Sequence, residues 1–267
     1  DFPSLRLANL IHLNHNMSVD IYVSSVIAKA KAVVIRILGG RSYWPYGLDE
    51  VISVCNRNNI PLGLLPGDDQ PDIELIELST LNPDQVHRVW QYQVHGGIDN
   101  AMQMLNYLAN IIGYKQRWLE PVTLLRAGLY WPNENAPDIN LIRSKWTNIN
   151  PIIGVVFYRA LIQANDTNTV DMIISELNKN NLNPFPIYTQ SLRDPVAAGI
   201  IEESFKQEPP SLIINSTGFS VSSPGANRKK SPFEIEGGKK NPVVIQMVFS
   251  GSNIDSWNVA SNGLLPR

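Results

Sequence analysis

The residues of this chain best suited to chemistry follow apolar runs of strand length. Leu38-Gly39-Gly40-Arg41-Ser42-Tyr43-Trp44-Pro45-Tyr46-Gly47 comes directly after the run Ala32 to Ile37. The paired glycines Gly39 and Gly40 let backbone approach a ligand closely, Arg41 can hold an anionic group through parallel N–H donors, and Tyr43, Trp44 and Tyr46 offer flat apolar walls. Such a loop suits a large, flat, partly anionic molecule. Arg36 stands inside the apolar run, where a permanent charge needs either a carboxylate such as Asp68 or a ligand to face. Asp68 and Asp69 follow the run Ile60 to Leu65 and the turn residues Pro66-Gly67. They could bind a cation or move a proton, and the same residue types also satisfy the backbone of a turn.

The second half of the chain repeats the arrangement. Arg159 follows Pro151-Ile152-Ile153-Gly154-Val155-Val156-Phe157-Tyr158, and Gly218 and Phe219 follow Ser211 to Asn215 within Thr217-Gly218-Phe219-Ser220. Arg159 reads as a carboxylate clamp or as a salt-bridge partner, since guanidinium serves both. Tyr130-Trp131-Pro132 adds a second aromatic rim. Metal ligation has little support: His12 and His15 are three apart and could share a helical face, but no third ligand is near them in sequence. His95, before Gly96-Gly97, reads as a helix terminator. Gly237-Gly238-Lys239 lacks the first glycine of a phosphate loop, and dinucleotide fingerprints, nucleophile elbows and paired-cysteine spacings are absent. No catalytic residue is assigned, and no cofactor is expected from a recognisable motif.

These loops require strands to carry them. Apolar runs alternating with helical patterns predict an α/β fold: two domains, each a mainly parallel sheet flanked by helices in the Rossmann or flavodoxin manner. In that architecture ligands sit at the carboxyl ends of the strands. The first domain spans 1–140, with strands at Ala32–Leu38, Ile60–Leu65 and Val122–Gly128 and a helical insertion at about 72–113. Asn133 to Asn150 reads as the connection. The second domain spans 150–267 and is truncated at its C-terminal end, with strands at Pro151–Tyr158, Pro184–Tyr188, Ser211–Asn215 and Pro242–Phe249 and helices at Thr167–Asn180 and Pro195–Lys206.

Composition narrows the function. A chain of 267 residues, 43% hydrophobic, with a net charge of −2, is globular and gives no electrostatic reason to expect nucleic acid or an anionic membrane surface. Arg228-Lys229-Lys230 and Lys239-Lys240 lie among Ser, Pro and Gly and read as a solvated loop. No apolar run reaches the roughly 18 residues of a membrane span. The single cysteine, Cys55, on an apolar helical face, reads as an inert buried thiol in a reducing cytoplasm. A start at Asp1-Phe2-Pro3, without initiator Met or signal peptide, leads us to expect a piece of a longer protein.

Taken in order, Met17-Ser18-Val19-Asp20-Ile21-Tyr22, Arg36 to Gly47, Pro66-Gly67-Asp68-Asp69, Val94-His95-Gly96-Gly97 with Asn100 and Ala101, Gly154 to Arg159 and Thr217-Gly218-Phe219 resemble the amino-terminal region of the cobaltochelatase large subunit, CobN. The resemblance covers essentially the whole chain; the magnesium-chelatase H subunit is its relative, similar mainly in the second half. The resemblance implies a part in ATP-dependent insertion of Co(II) into the corrinoid hydrogenobyrinic acid a,c-diamide during cobalamin biosynthesis, with ATP and Mg on separate AAA+ partner subunits. For tetrapyrrole or partner binding we single out Arg36, Gly39, Gly40, Arg41, Tyr43, Trp44, Tyr46, Asp68, Asp69, Arg159, Gly218 and Phe219. It also implies that the fragment alone does not insert metal. Two other readings stay open: an H-type subunit serving magnesium and protoporphyrin, and a non-catalytic module that recruits partner subunits.

Overall fold

A computed structural model describes residues 3–147, 149–218, 231–234, 241–251 and 254–259. The chain divides into two compact units, Asp1–Leu124 and Leu125–Arg267. The boundary therefore falls before Asn133 to Asn150, the stretch expected to connect the domains.

In the first unit α1 (Asn16–Ser25), β1 (Val33–Ile37), α2 (Pro45–Asn58) and β2 (Leu62–Pro66) precede the helices α3 (Ile73–Leu78), α4 (Pro83–His95) and α5 (Ile98–Ile111). β1 and β2 pair in parallel, Val33 opposite Leu62 through Ile37 opposite Pro66. They form a two-stranded sheet among the described residues. Val33, Ile35, Ile37, Leu62 and Leu64 of these strands enter one core with Val19 and Val23 of α1 and Leu48, Val51 and Cys55 of α2. Leu65 joins a second core with Val86, Val89, Trp90, Tyr92 and Tyr107 of α4 and α5.

α3 and α4 of the insertion start where a side chain accepts from the first free backbone N–H groups, whereas α5 follows Gly97 and has no side-chain cap. Asp72 accepts from Leu75 N at 3.1 Å. Asn82 and Gln85 form a reciprocal capping box ahead of Pro83, at 2.9 and 3.1 Å. α4 turns into α5 through Gly96 and Gly97, both at positive φ. Buried Asn100 donates to Gly96 O and Val122 O and accepts from Val122 N, fastening the segment after α5 to that turn. The Arg88 guanidinium lies over the rings of Tyr107 and Trp118, 5.2 and 5.0 Å away, and pairs with Glu120. His95 does end α4, and its Nδ1 accepts from Leu124 N at 3.3 Å.

The second unit holds β3 (Ala127–Leu129), α6 (Ile139–Ser144), β4 (Ile152–Tyr158), α7 (Arg159–Gln163), α8 (Asn168–Lys179), β5 (Asn183–Thr189), α9 (Pro195–Gln207), β6 (Leu212–Asn215), β7 (Val243–Gln246) and α10 (Ile254–Val259). Its sheet has the order β3-β5-β4-β6-β7. β4, β5, β6 and β7 are parallel and β3 is antiparallel to β5. The strand expected at Val122–Gly128 is thus three residues long and belongs to the second sheet, not the first. Asn133 to Asn150 is also part of this unit: it contains α6, and Trp146 Nε1 donates to Pro184 O at 2.7 Å. Phe205 of α9 packs beside Phe185 and against Gly154 on one face. Asp171 of α8 accepts from Tyr130, whose ring meets Phe157 on the other face. The sheet is therefore covered by helices on both sides, as the alternation of apolar runs predicts.

α9 is fixed by Asp194, which accepts from Ala197 N at 2.8 Å and from Arg126 at 2.7 Å. These partners, the Ala197 N–H foremost, hold its carboxyl below the ordinary value. Asp194→Ala is expected to destabilise the chain by about 1–2 kcal/mol at neutral pH, the usual worth of a lost N-cap. Because the native carboxyl is the stronger acid, this contribution is full above the unfolded value of about 4 and disappears as pH falls through the native one. Urea unfolding at pH 7 and at about pH 3 should show the two proteins converging in acid.

Candidate functional site

The loops between Ile37 and Pro45 and between Pro66 and Ile73 lie together at the carboxyl edge of the first sheet. Gly67 N donates to Ile37 O at 2.7 Å, and Arg36 Nη2 donates to Gly67 O at 2.6 Å. Arg36 is on the exposed face of β1, so it neither enters the core nor pairs with Asp68; a backbone carbonyl takes its hydrogen bond. Gly39 and Gly40 both have positive φ, and a Cβ on Gly40 would stand 2.9 Å from the Asp72 carboxylate. These glycines make room for neighbouring chain.

The rest of the loop is built inward more than outward. Trp44 is buried at 8% exposure, and its Nε1 donates to Leu13 O at 2.7 Å. The expectation that Trp44 lines an open rim is wrong: its indole lies on Gly47, where an added Cβ would come within 1.9 Å of the ring. Arg41 is half-exposed yet held by Asp49 at 2.9 Å and Glu74 at 3.4 Å, with Asp49 the main cause of its raised pKa. Tyr46 donates to Asp20 at 2.6 Å. Tyr43 remains outward at 58% exposure, and Leu38 and, in α3, Ile73 are exposed as well.

Asp68 behaves as a turn residue: its carboxylate accepts from Gln70 N at 3.1 Å and its carbonyl from Trp90 Nε1 at 3.1 Å. Asp69 meets Gln70 Nε2 at 3.5 Å. His12 and His15 are both exposed, and among the described residues no group of three His, Cys, Asp or Glu could hold a metal. Cys55 is buried, which pushes its thiol up to about 11.

The carboxyl edge of the second sheet is arranged differently. β4 pairs with β5 on one side and β6 on the other, so the connections leaving β4 and β5 depart in opposite directions along the sheet. Such a switch point opens a crevice outside the strand ends. At that point Gly218 N, beyond β6, donates to the Tyr158 hydroxyl at the end of β4, at 2.7 Å. Arg159 follows at once and is buried at 6% exposure. Its positive charge reaches the phenol of Tyr188, which burial otherwise pushes up.

A closed polar network sets the loop after β6. Asn215 accepts from Thr217 N and Oγ1 and donates to Gln246, and Gln246 donates to Thr217 O at 2.7 Å. Ser216 donates its hydroxyl to Val156 O. Arg159 and Gly218, singled out in the sequence, are thus near one switch point, while Phe219 and the basic run at 228–230 and 239–240 lie outside the described residues. Tyr158 escapes a reading of the sequence because its place at the end of an apolar run makes it look like core. Tyr130-Trp131 does not form a second rim at this edge: β3 runs antiparallel, which carries these residues toward the opposite end of the sheet. Tyr130 donates to Asp171, and Trp131 is buried.

The second unit is a doubly wound α/β sheet, an architecture that binds ligands at its strand ends. Residues 90–267 match a protein-family model described as CobN/Magnesium Chelatase. The chain is 35% identical over 99% of its length to the aerobic cobaltochelatase subunit CobN of Sinorhizobium sp, and 34% identical over all of it to that of Pseudomonas aeruginosa. It is 25% identical over 67% of its length to the magnesium-chelatase H subunit of Rhodobacter capsulatus. A solved structure of the catalytic subunit of cobaltochelatase from Mycobacterium tuberculosis matches 74% of this chain and 15% of that one, at 26% identity and a TM-score of 0.55. The chain belongs to the CobN/magnesium-chelatase family. It spans about a fifth of the length of the curated CobN relatives, 21% of each.

Two measurements test the inward-built loop. Gly47→Ala is expected to cost about 1–3 kcal/mol, because the indole must leave its seat on the backbone; urea unfolding followed by tryptophan fluorescence reads it. The Asp20 carboxylate, which accepts from Tyr46, pushes that phenol up to about 12. The native phenol is the weaker acid, so its stabilising contribution holds below about pH 10 and is lost between there and about pH 12. Ultraviolet titration of Tyr46→Phe should lack one late-ionising tyrosine.

Proposed function

We propose that the chain serves as part of a cobaltochelatase large subunit, acting in ATP-dependent insertion of Co(II) into hydrogenobyrinic acid a,c-diamide in the cytoplasm. One observation carries the choice of cobalt over magnesium. Identity to the CobN subunits is 34–35% across essentially the whole chain, against 25% over two-thirds of it for the R. capsulatus magnesium-chelatase H subunit. In this reading ATP and its Mg are held by AAA+ partner subunits, and no phosphate-loop sequence occurs in the 267 residues of the chain.

Metal insertion requires a macrocycle held in place, its ring N–H protons removed and a hydrated metal stripped of water. The described residues offer means for the first requirement: a switch-point crevice with hydroxyl and guanidinium groups. They hold no metal-ligand cluster for the last. We therefore assign this part of the subunit to engaging the macrocycle, and the insertion step to other parts of the complex. Exposed Leu38, Tyr43 and Ile73 favour a second role for the first unit, association with partner subunits, since apolar groups remain outward where Arg41 is held internally.

The full-length subunit, with its partner subunits and ATP, is expected to insert Co(II) into hydrogenobyrinic acid a,c-diamide and not Mg(II) into protoporphyrin, read from the absorption spectrum of the product. The 267-residue chain with the same partners should insert neither. Preferential magnesium insertion would overturn the cobalt reading, and insertion by the short chain would overturn the division of labour.

A further inference from the structure

We infer that the switch point between β4 and β6 is a carboxylate-binding site in which the Tyr158 hydroxyl is the donor. The inference rests on the reading that this part of the subunit engages a tetrapyrrole, and names the group on the macrocycle that is recognised.

A phenol oxygen can accept a hydrogen bond and donate its own proton. The Gly218 N–H fills an acceptor position of Tyr158 at 2.7 Å, which fixes the direction in which the hydroxyl proton is offered. Tyr158 is 36% exposed, so a ligand can reach that proton. Gly218 is held by the network of Asn215, Thr217 and Gln246, whose hydrogen bonds close on one another; the donor is therefore oriented before any ligand arrives. Preorganised donors of this kind bind at low ordering cost.

A neighbouring group supplies a second, independent observation. Thr189 is opposite Tyr158 in the parallel register, so both side chains rise from the same face of the sheet. Thr189 is fully buried, and its Oγ1 has no hydrogen-bond partner among the described residues. A buried hydroxyl without a partner is unfavourable, and a ligand oxygen inserted at the ends of β4 and β5, on the flank of Tyr158 away from Gly218, would supply one.

Charge selects the ligand class. The described loops at this edge, with Arg126 where β3 begins, carry Arg126, Arg159 and Arg193 against Asp166 and Asp194. Asp194 is already paired with Arg126. The net positive balance favours an anionic oxygen over a neutral amide carbonyl, and hydrogen bonds to charged acceptors are the stronger kind. Among tetrapyrrole substituents, that oxygen is a peripheral carboxylate.

The test uses the full-length subunit, with hydrogenobyrinic acid a,c-diamide and a fully amidated analogue of it as probes, titrated by tryptophan fluorescence. Tyr158→Phe keeps the ring and removes the proton. It is expected to weaken binding of the carboxylate-bearing corrinoid about ten-fold or more while leaving the amidated analogue unchanged. Arg193→Gln, at an exposed position, should weaken the same ligand selectively and less. An unchanged urea midpoint for both variants separates this from unfolding. Equal losses for both corrinoids, or no loss for either, would overturn the carboxylate site while leaving tetrapyrrole engagement intact. If the wild-type subunit binds neither corrinoid, the underlying reading fails and the site with it.

Discussion

Burial of β4 on both faces is the constraint from which the second unit follows. Five consecutive residues, Ile153 to Phe157, are buried, and every residue of β5 beside them is buried as well. A strand enclosed in this way can present polar groups only where it ends. Tyr158 and Arg159 are those residues, and the parallel partner β6 delivers Ser216 to Gly218 to the same edge. The requirement that backbone groups in a dry core be paired thus also decides where chemistry can occur. Gly154 shows how tight the enclosure is: a Cβ there would meet the Phe205 ring at 3.0 Å.

The first unit reaches its strand ends under a different constraint. With only two paired strands among the described residues, its sheet gains stability from loops that fold back on it. Trp44 reaches Leu13, Tyr46 reaches α1, and Arg41 ties the loop to α2 and α3. A glycine-rich, arginine- and aromatic-bearing loop at a strand end is therefore compatible with two opposite uses: facing a ligand, or closing the fold. Here Gly47 decides the matter, since its missing side chain is the space that the Trp44 indole occupies. Exposed pairs such as Arg41 with Asp49 add little stability individually, but they fix which way the loop leans.

The difference between legible and illegible features follows from range. Strands β1, β2, β4, β5, β6 and β7, and the helices α2, α4, α8 and α9, are encoded by local periodicity and by caps such as Asn82 and Asp194. The carboxyl-edge positions of Arg159 and Gly218 follow from strand assignment alone. What the sequence conceals is set by contacts between distant residues. The membership of Ala127–Leu129 in the second sheet depends on β5, far along the chain, and the inward turn of Trp44 depends on Leu13. Tyr158 looks like core because a tyrosine closing an apolar run carries no local sign that a glycine amide 60 positions later will orient its hydroxyl.

The extent of the family match bears on how labour divides between the units. The matching region, residues 90–267, contains the whole second unit but begins only at Trp90 of α4, after the glycine-rich loop and both strands of the first sheet. Properties common to cobalt and magnesium chelatases are then expected in the second unit. Engagement of a tetrapyrrole is the requirement the two chemistries share, whereas the metal and the macrocycle's oxidation level differ between them. Under the proposed reading, a doubly wound sheet with a preset hydroxyl donor and guanidinium groups at its carboxyl edge would suit that shared requirement, because its donors would meet peripheral oxygens and not the ring's centre. The first unit, matched across its length by the CobN relatives, is the natural place for features that distinguish cobaltochelatases, among them the surface around Tyr43 that its inward-built loop leaves exposed.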